Sequence, residues 1–169
     1  KNFADAPNLV VDNLGVTSND IQVVIKNVGT QSVVDEFWID VYINPSIAPT
    51  AVNQIWSMMG TQGLTWGVTT SALPIIPGET RTLSIVNDPN HYFWPSLSNF
   101  TVPLTNATVY VQVDSANAGV AYGAVRENHE IAGTAYDNIR KFTVTSGVVS
   151  LPVIAPRDPA TTRNLPRRP

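Results

Sequence analysis

Apolar and polar residues alternate along much of this chain, and a period of two leaves little room for anything but strands with one buried face. Ile21, Val23 and Ile25 alternate with Gln22, Val24 and Lys26 before Asn27-Val28-Gly29-Thr30 breaks the run. Phe37, Ile39, Val41 and Ile43 alternate with Trp38, Asp40, Tyr42 and Asn44, and Pro45 ends that strand. Pro77-Gly78-Glu79-Thr80 reads as a turn feeding a strand through Leu83 and Ile85. Val109, Val111 and Val113 define another strand, Lys141 to Thr145 a last one, and Leu9 to Val16 a first. About seven short strands, each with one apolar face, require two sheets packed face to face. The expected fold is therefore all-β, an immunoglobulin-like β-sandwich of about seven strands.

Composition agrees. Charged residues are 14% of the chain against roughly 25% in an average domain. There is no cysteine, so neither a disulfide framework nor a thiolate metal site exists. Few lysines and many Val, Thr, Ser and Asn suit an extracellular, cell-surface protein. No apolar run reaches the roughly 20 residues of a membrane span, so the chain is not expected to be membrane-spanning. An acidic body with three lysines argues against nucleic acid as a partner. The chain starts at Lys1 without an apolar leader and is read as a processed product or an excised segment.

Three regions follow: a lead at 1–7, the sandwich at 8–150 and an extended Pro/Arg-rich arm at 151–169. The last eighteen residues hold five of thirteen prolines and little that builds a core. From Val153 onward Arg157, Arg163, Arg167 and Arg168 face Asp158 alone, a net of +3. The whole chain carries −3, so the rest carries −6. A basic arm on an acidic body favours head-to-tail association. Leu151, Val153 and Ile154, then Ala160 to Leu165, are extended-prone and suited to an open sheet edge or a groove. Prolines limit strand pairing and favour a polyproline-like form. The interface expected on a neighbouring copy is thus Leu151, Val153, Ile154, Arg157, Arg163, Leu165, Arg167 and Arg168, the bland alternative being a solvated linker.

Several ordered pieces resemble one family. They are Asn27-Val28-Gly29-Thr30, the run Phe37 to Pro45, Pro77 to Thr80, Val113-Asp114-Ser115-Ala116-Asn117, then Glu127, Glu130 and Asp137-Asn138-Ile139. Together, over roughly Pro7 to Val148, they are similar to the CARDB family, the cell-adhesion-related domain found in bacteria. The resemblance implies a non-catalytic immunoglobulin-like sandwich of secreted or surface proteins, often in tandem. Two long insertions, Ser46 to Thr70 and Asp88 to Thr105, depart from the shorter members, and the arm lies outside the resemblance.

Candidate chemistry is sparse. Asp114, Ser115, Asn117, Glu127, Asn128, His129, Glu130, Asp137 and Asn138 would converge at one pole of a sandwich. Gathered carboxylate and amide oxygens suit a hard cation, and Asp114, Glu127, Glu130 and Asn138 are the candidate Ca²⁺ ligands. The same residue types equally cap orphan backbone amides in loops. Apart from that Ca²⁺ no cofactor is expected. Three residues of spacing do not make Glu127 and Glu130 a glycosidase pair. His91 and His129 sit in no nucleophile or zinc motif, so no enzymatic activity is expected. Asn99 and Asn106 open Asn-x-Thr glycosylation triplets. Trp38, Trp56, Trp66 and Trp94, with Tyr42, Tyr92 and Tyr122, suit either mini-cores under the insertions or a platform. The expected function is a structural or adhesive subunit that self-assembles as a surface filament or layer, its arm docking on a neighbour. The alternative is an accessory module of a larger secreted protein, binding surface glycan or other surface proteins.

Overall fold

The computed structural model of the chain describes residues 5–145, 158–159 and 164–169. Seven strands form: β1 (Leu9–Val16), β2 (Ile21–Asn27), β3 (Phe37–Ile43), β4 (Gln62–Val68), β5 (Thr80–Ser84), β6 (Ala107–Val113) and β7 (Ile139–Val144). Two short helices interrupt them, α1 (Trp56–Met59) and α2 (Asn128–Ala132). One sheet has the order β1-β2-β5, the other β4-β3-β6-β7, and every pairing is antiparallel. The molecule is an immunoglobulin-like sandwich.

The alternation does what a period of two requires. Ile21, Val23 and Ile25 of β2 meet Phe37, Ile39, Val41 and Ile43 of β3 and Val109, Val111 and Val113 of β6 in one core. In β1 a bulge between Val11 and Asn13 inserts one residue. Inward positions therefore change parity, from Leu9 and Val11 to Leu14 and Val16.

β4 corrects the sequence reading, which placed Ser46 to Thr70 in a single insertion. Its second half is a strand paired with β3 along its whole length. Leu64, Trp66 and Val68 enter the core, whereas Gly63 and Gly67 gave the segment little strand signal. The insertion proper is therefore residues 46–61, and it carries α1. α2 forms between β6 and β7.

β3 is buried at all seven positions. An antiparallel sheet commonly leaves one face to water, and here the outer face of β3 is covered as well. Tyr42 on that face donates its hydroxyl hydrogen toward the Gln54 carbonyl or Gln112 Oε1, each at 2.6 Å. The second insertion seals the free edge of β4. The Gly67 N–H donates to the Tyr92 carbonyl at 2.8 Å, the Trp94 N–H to that of Thr65 at 2.9 Å, and Gly63 pairs with Asn99.

Candidate functional site

Trp38, Trp56 and Trp94 rise from the outer face of the larger sheet and its two insertions and leave a groove between them. Two glycines of β4 make the space. A Cβ on Gly63 would lie 2.3 Å from the Trp56 ring and 2.5 Å from the Val41 carbonyl oxygen. One on Gly67 would lie 2.6 Å from Leu165 and 3.0 Å from both Trp38 and Trp94. Trp38 and Trp94 meet edge to face at 5.5 Å. The Trp56 indole N–H donates to the Leu97 carbonyl at 2.8 Å, tying α1 to the second insertion.

The end of the chain occupies this groove. The Asn164 N–H donates to Glu36 Oε1, whose other oxygen accepts the Thr70 N–H at 3.0 Å. Leu165 packs into a small cluster with Trp38, Ile55, Trp94, Leu97 and Ala116, separate from the main core. The Trp38 indole N–H donates to the Pro166 carbonyl at 2.6 Å, and the Ala118 N–H to the Arg167 carbonyl at 2.7 Å. Arg168 reaches furthest in. Its Nη1 and Nη2 donate to the two oxygens of Asp40, each at 2.8 Å, and its guanidinium lies 5.0 Å from the Trp38 ring centroid. Upstream, Asp158 accepts the Ser96 N–H at 2.9 Å.

Asp40 is fully buried at the middle of β3. Besides the guanidinium it accepts the Ser115 hydroxyl at 2.6 Å and the Trp56 N–H at 3.1 Å. A forked pair between a planar guanidinium and a carboxylate, with the remaining lone pairs filled, is the strong geometry for such a contact. Beside Arg168 and Pro169 the groove widens into an open cavity of about 460 Å³, lined by Trp56, Ser57, Ser96, Leu97, Ser98 and Asn99.

Of the expected interface residues, Leu165, Arg167 and Arg168 lie against this chain's own sandwich. The Arg167 side chain is in solvent; Leu165 and Arg168 carry the contact. Leu151, Val153, Ile154, Arg157 and Arg163 lie outside the described residues. Sequence reasoning missed Glu36, Asp40 and Gly67. A legible signal for Asp40 existed: a carboxylate between Trp38 and Tyr42 on the outer face of a strand whose other face is wholly apolar.

The acidic pole forms, but its oxygens serve the main chain. Asp114 accepts the Ala124 and Val125 N–H groups at 2.8 and 3.0 Å. Glu127 accepts the Leu9 N–H and an Asn138 amide hydrogen, both at 2.6 Å, and caps α2 in a reciprocal box with Glu130. Burial pushes the Asp114 carboxyl up to about 7 and that of Glu127 up to about 9. Among the described residues no group of three or more His, Asp or Glu is arranged to hold a metal. Asp114, Glu127, Glu130 and Asn138 are thus brought to one pole, where the carboxylate oxygens accept main-chain and amide hydrogens. Asn99 and Asn106 are both exposed, and the Asn99 amide donates to the Thr61 carbonyl at 2.8 Å. Trp66, Tyr42 and Tyr92 are buried, leaving Tyr122 half exposed. No described helix is long and apolar enough to cross a membrane.

A scan against protein-family models finds no match, and a search of curated proteins finds none. Among solved structures, a CARDB domain from Pyrococcus furiosus, determined in complex with di-metal ions, aligns over 83% of this chain and 94% of its own, at 18% identity and TM-score 0.41. The chain is similar to a CARDB domain. Two β-glucosidases also align. One is from Kluyveromyces marxianus, in complex with glucose (15% identity, 88% of this chain, TM-score 0.35). The other, glucosidase 3B from Thermotoga neapolitana, shows 14% identity over 82% of this chain, TM-score 0.31. The chain spans only 14% and 17% of those two enzymes.

Proposed function

We propose that this chain is a non-catalytic module of the cell surface whose groove and C-terminal arm form a plug and socket, joining copies into a filament or layer. The observation that carries the reading is the seating of residues 164–169 in the Trp38–Asp40 groove. Among the described residues, none of the arm enters the main core. Each contact is made by a short extended segment, and the same segment of a second copy satisfies the same groove. Exchange of identical elements between copies is a low-cost route to assembly. The +3 arm and −6 body favour the encounter.

The test compares the full chain with a form lacking residues 153–169, by light scattering across a concentration series and by electron microscopy. Mass should rise with concentration for the full chain and stay that of a monomer for the shortened one. A full chain that remains monomeric throughout, or assembly untouched by the deletion, would sink the reading.

One observation favours a second reading, an accessory module for surface glycan. The cavity beside Pro169 is lined by Trp56 together with Ser57, Ser96, Ser98 and Asn99, the mix of aromatic and polar groups that sugar rings use. Glycan-array binding lost on Trp56→Ala would support it; an array without signal would remove it.

A further inference from the structure

We infer that the groove is a sequence-selective receptor for an extended Leu-Pro-x-Arg peptide, supplied by the arm of a second copy, and that it reads the leucine and the arginine three residues apart. The inference rests on the plug-and-socket reading and says which side chains make the plug specific.

The two anchors of the arm lie three residues apart. Leu165 and Arg168 point into the groove, while Asn164 and Arg167 are exposed. A polyproline-type segment has three residues per turn, so positions i and i+3 share a face. Pro166, between the two anchors, restrains the free peptide to extended forms, which reduces the ordering cost of binding. The receptor side is organised around one residue. Trp38 packs against Leu165, donates its indole N–H to the next carbonyl, and presents its face to Arg168. An aromatic that contacts three successive features of a ligand sets its register as well as its affinity.

Specificity for arginine follows from Asp40. Both its oxygens receive a guanidinium N–H, and it is fully buried. A lysine ammonium would present one point of charge there and no plane to lie on the indole. The leucine site is closed by Gly67, where any side chain would occupy the place of the Leu165 methyl. The two main-chain bonds, from Trp38 to the Pro166 carbonyl and from Ala118 to the Arg167 carbonyl, are blind to sequence and fix the strand of peptide between the anchors.

A fluorescently labelled peptide, Asn-Leu-Pro-Arg-Arg-Pro, tests this by anisotropy. The acceptor is the full-length Leu165→Ala/Arg168→Ala protein, whose own arm has lost both anchors; near-ultraviolet circular dichroism checks that it is folded. Full-length Arg168→Ala serves as a second acceptor. Saturable binding is expected, weakened about tenfold or more by Leu165→Ala or Arg168→Ala in the peptide and still clearly weakened by Arg168→Lys. Arg167→Ala in the peptide should cost no more than about threefold. Equal losses for the two arginines would mean that the basic peptide is held by general charge, and would overturn the inference, as would an absence of saturable binding to both folded acceptors. A selective peptide with a wild-type chain that never assembles would support the receptor while removing the plug-and-socket function. Assembly of the wild-type chain without peptide binding would remove the receptor and leave assembly to another surface.

Discussion

Asp40 concentrates the energetic stakes of the outer face. Three donors converge on one buried carboxylate: the Arg168 fork, the Ser115 hydroxyl and the Trp56 N–H. Removing it leaves the guanidinium without its partner and strands two more donors. Asp40→Ala should destabilise the protein by about 3–5 kcal/mol in urea unfolding. Arg168→Ala should cost the sandwich less, because Asp40 keeps two donors. At the opposite pole, Asp114 and Glu127 hold their protons more tightly in the folded protein than in the unfolded chain, where carboxyls titrate near about 4. Between there and the values of about 7 and about 9, folding takes up protons, so stability falls as pH rises. The thermal midpoint should be higher at pH 5 than at pH 9; a midpoint flat or rising over that range would contradict the burial argument. Glu127→Gln should flatten the upper part of the slope.

β4 shows how one element serves two layers. Its inward residues Leu64, Trp66 and Val68 complete the core, and its outward glycines admit Trp56 on one side and Leu165 on the other. The two glycines should differ when substituted. Gly63→Ala drives a methyl into a packed indole and a main-chain carbonyl, so unfolding should be easier by about 1–3 kcal/mol. Gly67→Ala meets the far end of Leu165 first, so the arm should leave while the sandwich persists. Limited proteolysis checks this: cleavage near Asn164 should accelerate in Gly67→Ala with little change in the melting temperature. The same glycines explain why the strand was hidden. Alternation was legible where both faces carried side chains, as in β2, β3 and β6, and faded where the outer positions were emptied to accommodate something else.

At the scale of the whole molecule, a sandwich normally offers two outer faces and four strand edges. Here the second insertion lies along β4, and the first insertion and the arm cover the outer face of β3. The insertions are thus the walls of the groove, and the arm is its occupant. Because arm and body are oppositely charged, assembly through the arm should weaken as salt rises from about 0.05 to 0.5 M, over which the screening length shortens severalfold. Light scattering at fixed protein concentration reads this directly, and salt-independent mass would assign the contact to its apolar part, Leu165 in its cluster.

Six of the seven strands and the sandwich they form are readable in the chain. Each rests on local alternation, turn residues or composition, which neighbours in sequence express. The partner of the arm was not readable, because Arg168 and Asp40 are 128 residues apart and meet only when the sandwich closes. Nor was the role of the acidic pole. Asp114, Glu127 and Asn138 present the same oxygens to a cation or to main-chain amides, and folding brought the amides of Leu9, Ala124 and Val125 to them. Pattern specifies which face of a strand is buried; only the packing of distant segments specifies what buries the other.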